Sequence, residues 1–109
     1  MESKSNRIRA LNDQLRMTFT GGLILITASL AKTDEERKAR VLRAAREFDK
    51  FDADNDPYHE HDVGFFEVDS ERYFFRVDYY DRNVEYYSSD PADPACTCRI
   101  LTIGHHSDY

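Results

Sequence analysis

The sequence predicts an α+β fold, with two helices packed on one face of a mostly antiparallel four- to five-stranded sheet. Three observations carry this. Apolar residues recur at spacings of three and four in two early segments, as on one face of a helix. The second half instead holds short aromatic and β-branched runs at strand spacing. Turn signals rather than long linkers separate the pieces, and helices gathered on one face of an antiparallel sheet are the economical way to bury them. At 109 residues the chain fits a single domain, residues 1–109.

The elements follow in order. Ser5 can cap a helix from Asn6, with Ile8, Leu11, Leu15 and Phe19 as its buried stripe and Arg7, Arg9, Asp13 and Arg16 on the opposite face. Thr20-Gly21-Gly22 stops it, since glycine accepts the left-handed conformation of a C-terminal cap. Leu23 to Ser29 (LILITAS) is a continuous β-prone run and reads as a strand covered on both sides and central in the sheet. A second helix takes Thr33 as N-cap, with Glu36 at the capping-box spacing and Asp34, Glu35 and Glu36 against the helix dipole. Val41, Leu42, Ala45 and Phe48 form its stripe, while Arg37, Lys38, Arg40, Arg43 and Arg46 make a solvated cationic face.

Gly64 to Val68 and Tyr73 to Tyr80 then read as a hairpin about Asp69-Ser70-Glu71-Arg72. A short strand is expected at Val84 to Tyr87 after the Asp81-Arg82-Asn83 turn, and SSDPADP (88–94) cannot hold regular structure. Arg99 to Ile103 is the last strand, and the chain frays beyond Gly104. Cys96 and Cys98 read as half-buried strand residues, because positions two apart on a strand lie roughly 6.5–7 Å apart and strain a disulfide. Without a second pair they also fall short of a zinc site.

Charge is segregated along the chain. Residues 1–46 carry ten Lys and Arg against five Asp and Glu, a net +5. Residues 47–93 carry four against fifteen, a net −11, and residues 94–109 balance, which together return the net −6 of the chain. An acidic half of this density repels nucleic-acid phosphate and attracts basic surfaces. The sign therefore argues against direct nucleic-acid binding and for a basic protein partner. The longest apolar run is far below the 18 residues of a membrane span, and the N-terminus lacks the apolar core of a secretory signal, so cytoplasmic residence with no membrane contact is expected.

The densest carboxylate run, EFDKFDADNDPYHEHD (47–62), follows the second helix. Asp52, Asp54 and Asp56 imitate positions 1, 3 and 5 of an EF-hand loop, but Pro57 replaces the glycine of position 6 and Val63 the glutamate of position 12. His59 and His61 lie two residues apart after a proline and do not match the zinc-binding H-E-x-x-H spacing, although an extended backbone would put them on one face. Asx-turns and carboxylates accepting backbone N–H groups explain the same letters structurally. No catalytic residue, metal site or cofactor is assigned, since no nucleophile motif, oxyanion device or phosphate-cradling glycine loop is present.

Tyr73, Tyr79, Tyr80, Tyr86 and Tyr87 interleave with Asp78, Asp81 and Glu85. Tyrosine gives stiff contact area with a polar tip, as interfaces favour. RNA-binding sheets also use aromatics, but line them with Lys and Arg. The candidate partner surface is thus Asp52, Asp54, Asp56, Glu60, Asp62, Asp78, Tyr79, Tyr80, Asp81 and Glu85.

RIRALNDQLRMTFTGG (7–22), FDKFDADNDPYHEHDVG (48–64), VDYYD (77–81), DPADP (90–94) and RILTI (99–103) together resemble a small bacterial family classed as a domain of unknown function, number 3768. The resemblance covers nearly the whole chain. Its motif matches Asp52, Asp54, Asn55, Asp56, Glu60, His61 and Asp62, while His59 and the cysteine pair fall outside it. It implies a short single-domain protein of a kind often found on plasmids and other mobile elements, and supplies no activity to carry over.

Two functions from different classes fit these residues. The first is a small acidic, non-catalytic binding protein from a mobile element, an inhibitor of a host nucleic-acid-handling defence complex of the anti-CRISPR or anti-restriction type. The second is a small metal-dependent or acid-base enzyme centred on Asp54, Asp56, Glu60, His61 and Asp62. Charge, size and tyrosine content favour the first.

Overall fold

The computed structural model describes residues 3–109. Helix α1 spans Lys4–Thr18 and starts earlier than expected, because Ser3 rather than Ser5 caps it, its side chain accepting from the Asn6 N–H at 3.1 Å. Its C-cap is Phe19 in the left-handed region (φ 57°), ahead of the glycines. The buried residues of α1 are Ile8, Asn12, Leu15 and Arg16. Arg16, expected to face outward, lies about 80° around a 3.6-residue helix from Ile8, close enough to the apolar stripe to turn inward.

Strand β1 (Leu23–Ile26) is a short edge strand, not a central one. Leu23 and Leu25 are each 51% exposed. The run LILITAS is therefore not one strand: its end turns into a short helix, α2 (Ala28–Ala31), which buries Leu30 completely. Helix α3 (Glu35–Glu47) is capped by Asp34, not Thr33, its carboxylate accepting from the Arg37 N–H at 2.8 Å. Thr33 instead donates its hydroxyl to the Leu30 carbonyl, at 2.7 Å, closing α2.

Strands β2 (Val63–Val68) and β3 (Glu71–Tyr80) form the expected hairpin, joined by a tighter turn. Only Asp69 and Ser70 lie outside the ladder, both with positive φ (54° and 67°), the two-residue turn whose twist matches that of the strands. Asp69 also ion-pairs with Arg37 and Arg40 of α3, tying the hairpin tip to the helix. Val84 to Tyr87 is not a strand. Val84 has φ 57°, and Tyr87 makes a single bridge to Tyr80. A 3-10 turn at Pro94–Cys96 precedes β4 (Cys98–His105), so Cys96 lies outside any strand, and both cysteines are free. A second 3-10 turn (His106–Asp108) orders the end of the chain.

The sheet order is β1-β4-β3-β2, with β1 parallel to β4 and the other pairs antiparallel. The fold is accordingly α+β, with helices packed against a mixed, mostly antiparallel four-stranded sheet. Tyr73, Phe75 and Val77 of β3 and Leu101 and Ile103 of β4 meet Leu15, Leu30, Val41 and Ala45 of the helices in one core. Gly64 lets this layer close, because a Cβ there would stand 2.4 Å from Phe75 and 2.8 Å from Phe48. On the other sheet face no α-helix packs among the described elements, and the 3-10 turn His106–Asp108 lies there against Phe65. Phe74 is still fully buried there, beneath the Tyr109 ring at 5.0 Å and the Arg76 guanidinium at 5.9 Å.

Candidate functional site

The acidic loop is a built structure rather than a loose chelator. Asp52 accepts from the Asp54 and Asn55 N–H groups, both at 2.9 Å, and Asn55 bonds back to the Asp52 N–H and the Lys50 carbonyl. These are Asx-turn contacts that hold the chain in a tight reversal. Asp56 is 2% exposed, and its Oδ1 accepts from the N–H groups of Glu60 (3.1 Å) and His61 (3.0 Å). It belongs to the interior and leaves the partner surface on which the sequence pattern placed it. His59 and His61 both have positive φ (59° and 55°), so the extended backbone that would align their rings is absent. Among the described residues, no group of three or more His, Cys, Asp and Glu side chains is arranged to hold a metal ion.

His61 turns inward instead. Its Nδ1 lies 2.9 Å from Asp13 Oδ1 and its Nε2 3.6 Å from Asp56 Oδ2, while the ring stacks on Phe51 at 3.8 Å and 6°. Asp13 also accepts from Arg16 Nη2 at 3.1 Å. The other terminal nitrogen of Arg16 donates to the carbonyls of Ala45, Arg46 and Phe48 at 2.9–3.1 Å. It thereby satisfies the orphan acceptors at the end of α3. The guanidinium stands 5.4 Å from the Phe51 ring and 5.3 Å from Phe75.

A second polar cluster lies beside it. The Asn12 amide donates to the Glu60 carbonyl (3.0 Å) and the Tyr79 hydroxyl (2.7 Å), and its oxygen accepts from Arg99 Nε (2.8 Å). Tyr79 in turn donates to Glu60 Oε1 at 3.0 Å and carries the Arg99 guanidinium over its ring at 5.2 Å. Burial pushes the Tyr79 hydroxyl and the Glu60 carboxyl up and the Arg99 guanidinium down from their ordinary ranges. Tyr79 thus faces the helices and does not share a surface with Tyr80, as strand alternation requires.

At the surface, Asp62 is held opposite β3 by its carbonyl, which accepts from the Val77 N–H at 2.8 Å. Its carboxyl is pushed up mainly by burial, with Asp56 and Asp78 adding repulsion. Asp78 bonds Arg76 at 2.9 Å. Beyond the end of β3, Tyr80 stacks on Tyr87 with centroids 5.8 Å apart and planes within 3°. Tyr86 and Tyr87 are 72% and 77% exposed. Asp81 accepts from the Asn83 and Glu85 N–H groups and so shapes this turn, leaving Glu85 exposed at its tip. The structure therefore gathers Glu60, Asp62 and Asp78 where β2 begins and β3 ends, with Tyr80, Glu85, Tyr86 and Tyr87 on the turn that follows. Asp52 and Asp54 are exposed on the separate 52–56 turn.

Sequence reasoning missed Asn12, Arg16 and Arg99, which hold the acidic loop in place. Two signals pointed to them: Asn12 sits four residues after Ile8 on the apolar stripe, and Arg99 directly precedes the apolar pair Ile100-Leu101 of its strand.

Comparison with protein families finds a match, over residues 26–108, to the family described as protein of unknown function (DUF3768). Comparison with curated proteins and with solved structures finds no match. The matched span includes the acidic loop, the hairpin, the tyrosine turn and β4. The chain belongs to this family.

Proposed function

We propose that this DUF3768 chain is a non-catalytic acidic binding protein, whose Glu60–Asp62–Asp78 edge and neighbouring tyrosine turn engage a basic protein surface. The observation that carries the reading is like charge held together at a cost. Asp62 is raised by burial with Asp56 and Asp78 for neighbours, and Glu60 is raised by burial beside Asp62 and Asp56, although Tyr79 donates to it and Arg99 draws it down. A fold keeps such a cluster against its own stability where the charge has a use outside the molecule. Tyr86 and Tyr87 add stiff, solvent-facing area of the kind that anchors interfaces.

The partner chemistry is a lysine- and arginine-rich groove of the sort that binds nucleic-acid backbone. With the mobile-element setting that the family resemblance implies, the finer reading is an inhibitor of a host nucleic-acid-handling defence complex, of the anti-CRISPR or anti-restriction type. Such a role places it in the cytoplasm. Among the described residues, no helix is long and apolar enough to cross a membrane.

The test is recovery of tagged protein from host lysate at low and high salt, with DNA or RNA as competitor. A nucleic-acid-handling complex should be recovered at low salt, displaced by competitor, and lost with Asp62→Lys/Asp78→Lys or Tyr86→Ser/Tyr87→Ser. Recovery unchanged by salt, competitor and these variants, with the variants still folded by circular dichroism, overturns the proposal.

A further inference from the structure

The sheet has two edges, and they are guarded differently. Along β2 an exposed Glu67 stands within the strand, Asp62 immediately precedes it, and α3 packs beside it. Such charges are how proteins prevent one edge from pairing with another. Strand β1 is short, four residues, but carries no such charge. It is Leu23-Ile24-Leu25-Ile26, without charge, proline or bulge, and Leu23, Leu25 and Ile26 are 51%, 51% and 38% exposed.

The phase of β1 can be read from its exit. Thr27 donates its N–H to the Ile103 carbonyl at 3.0 Å, continuing the parallel register in which Leu25 faces Thr102 and Ile26 faces Ile103. In a parallel ladder alternate residues turn their backbone groups to the partner, so Leu23, Leu25 and Thr27 serve β4. Ile24 and Ile26 therefore present N–H and C=O outward. Among the described residues no backbone partner meets them from that side.

We propose that β1 pairs antiparallel with β1 of a second copy of this chain, about a twofold axis at Leu25. The outward residues Ile24 and Ile26 are symmetric about Leu25, so the edge is complementary to itself. Ile24 then exchanges both backbone hydrogen bonds with Ile26 of the second copy, and the reverse. Leu25 meets its own symmetry mate as a non-hydrogen-bonded pair, with Cα atoms about 4.5 Å apart. Two sheets join into one of eight strands, and the exposed Leu25 side chains cover one another.

Charge selects the edge at which two copies can meet. Each copy carries a net −6, but β1 itself is uncharged, and Asp62 and Glu67 lie along β2, the opposite edge of the sheet. Pairing through β1 sets the two acidic edges at the outer ends of the joined sheet, where their mutual repulsion is screened by salt. A closed, isologous interface of this kind is the commonest oligomer symmetry.

The test uses the full chain in a Cys96→Ser/Cys98→Ser background. The parent should sediment or scatter at about twice the 12.8 kDa chain mass, as its concentration is raised through the micromolar range. Leu25→Cys should form a covalent dimer on mild oxidation. Leu23→Cys, whose mate in this register is Thr27, should not. Ile24→Pro, which removes an outward N–H and no bond to β4, and Leu25→Lys should each give the monomer mass with unchanged circular dichroism. A parent that stays monomeric throughout, or crosslinking as efficient at position 23 as at position 25, overturns the proposal.

Discussion

Asn12 of α1 and Arg99 of β4 meet at 2.8 Å across 87 residues of chain, and both are buried. The pair is the point at which the first helix, the last strand and the acidic loop are fastened together. Asn12→Leu keeps the branched shape but leaves the Arg99 guanidinium, the Glu60 carbonyl and the Tyr79 hydroxyl each short of a partner. Breaking one side of a buried charged contact costs about 3–5 kcal/mol. A lower urea midpoint at unchanged m-value is the expected result.

Arg16 places one nitrogen against three carbonyls at the end of α3. A lysine keeps the charge but lacks the planar fork, and cannot reach Asp13 and these carbonyls with the same geometry. Arg16→Lys should cost about 2–3 kcal/mol, the scale of lost hydrogen bonds to a charged group. Hydrogen exchange should show the last turn of α3 opening before the rest of the helix.

Asp62 opposes folding while it is charged. Its folded pKa is raised, so the native state binds more protons than the unfolded chain between the two values, and stability falls as pH rises through that window. Asp62→Asn should stabilise the protein at neutral pH by about 0.5–1 kcal/mol, the range of partly solvated charge interactions. The gain over wild type should vanish as pH drops to the ordinary carboxylate range, which a thermal melt series from pH 3 to pH 8 would read.

Asp54 and Asp56 are neighbours in sequence with opposite surroundings, one exposed and one 2% exposed. Asp54→Lys should leave the melting temperature within the roughly 0.5 kcal/mol scatter of surface changes. Asp56→Lys removes the side-chain acceptor of two backbone N–H groups and buries a cation beside His61, so loss of the folded state is expected by circular dichroism.

Gly64→Ala puts a methyl group against two phenylalanine rings. Overpacking of this kind costs about 1–3 kcal/mol, and the thermal midpoint should fall with no change in secondary structure.

Much of the fold was legible because local signals and tertiary packing agree. The hairpin at Asp69-Ser70, the stripe of Val41 and Ala45, and the antiparallel character of the sheet all follow from periodicity and turn chemistry. Strand β1 was misread for a physical reason. An uninterrupted apolar run marks a strand buried on both faces in most sheets, and in LILI the same pattern marks an unguarded edge. The acidic loop was legible as a set of Asx-turns. Its anchoring was not, because Asn12, Asp13 and Arg16 are polar residues on a helix, and amphipathic reasoning sends such residues to solvent. Here they face a loop whose backbone groups need partners, and that need becomes visible only once the loop is folded against them.

The parallel pairing of β1 with β4 also dictates when the protein can be finished. As the chain emerges from a ribosome, Leu23–Ile26 appears early, yet β4, with which it pairs, is made after the hairpin and the tyrosine turn. Until Cys98–His105 has cleared the exit tunnel, a naked LILI segment waits beside an incomplete core. A nascent chain of this design settles late, after most of its length is outside, and in the meantime leaves a short aliphatic stretch uncovered.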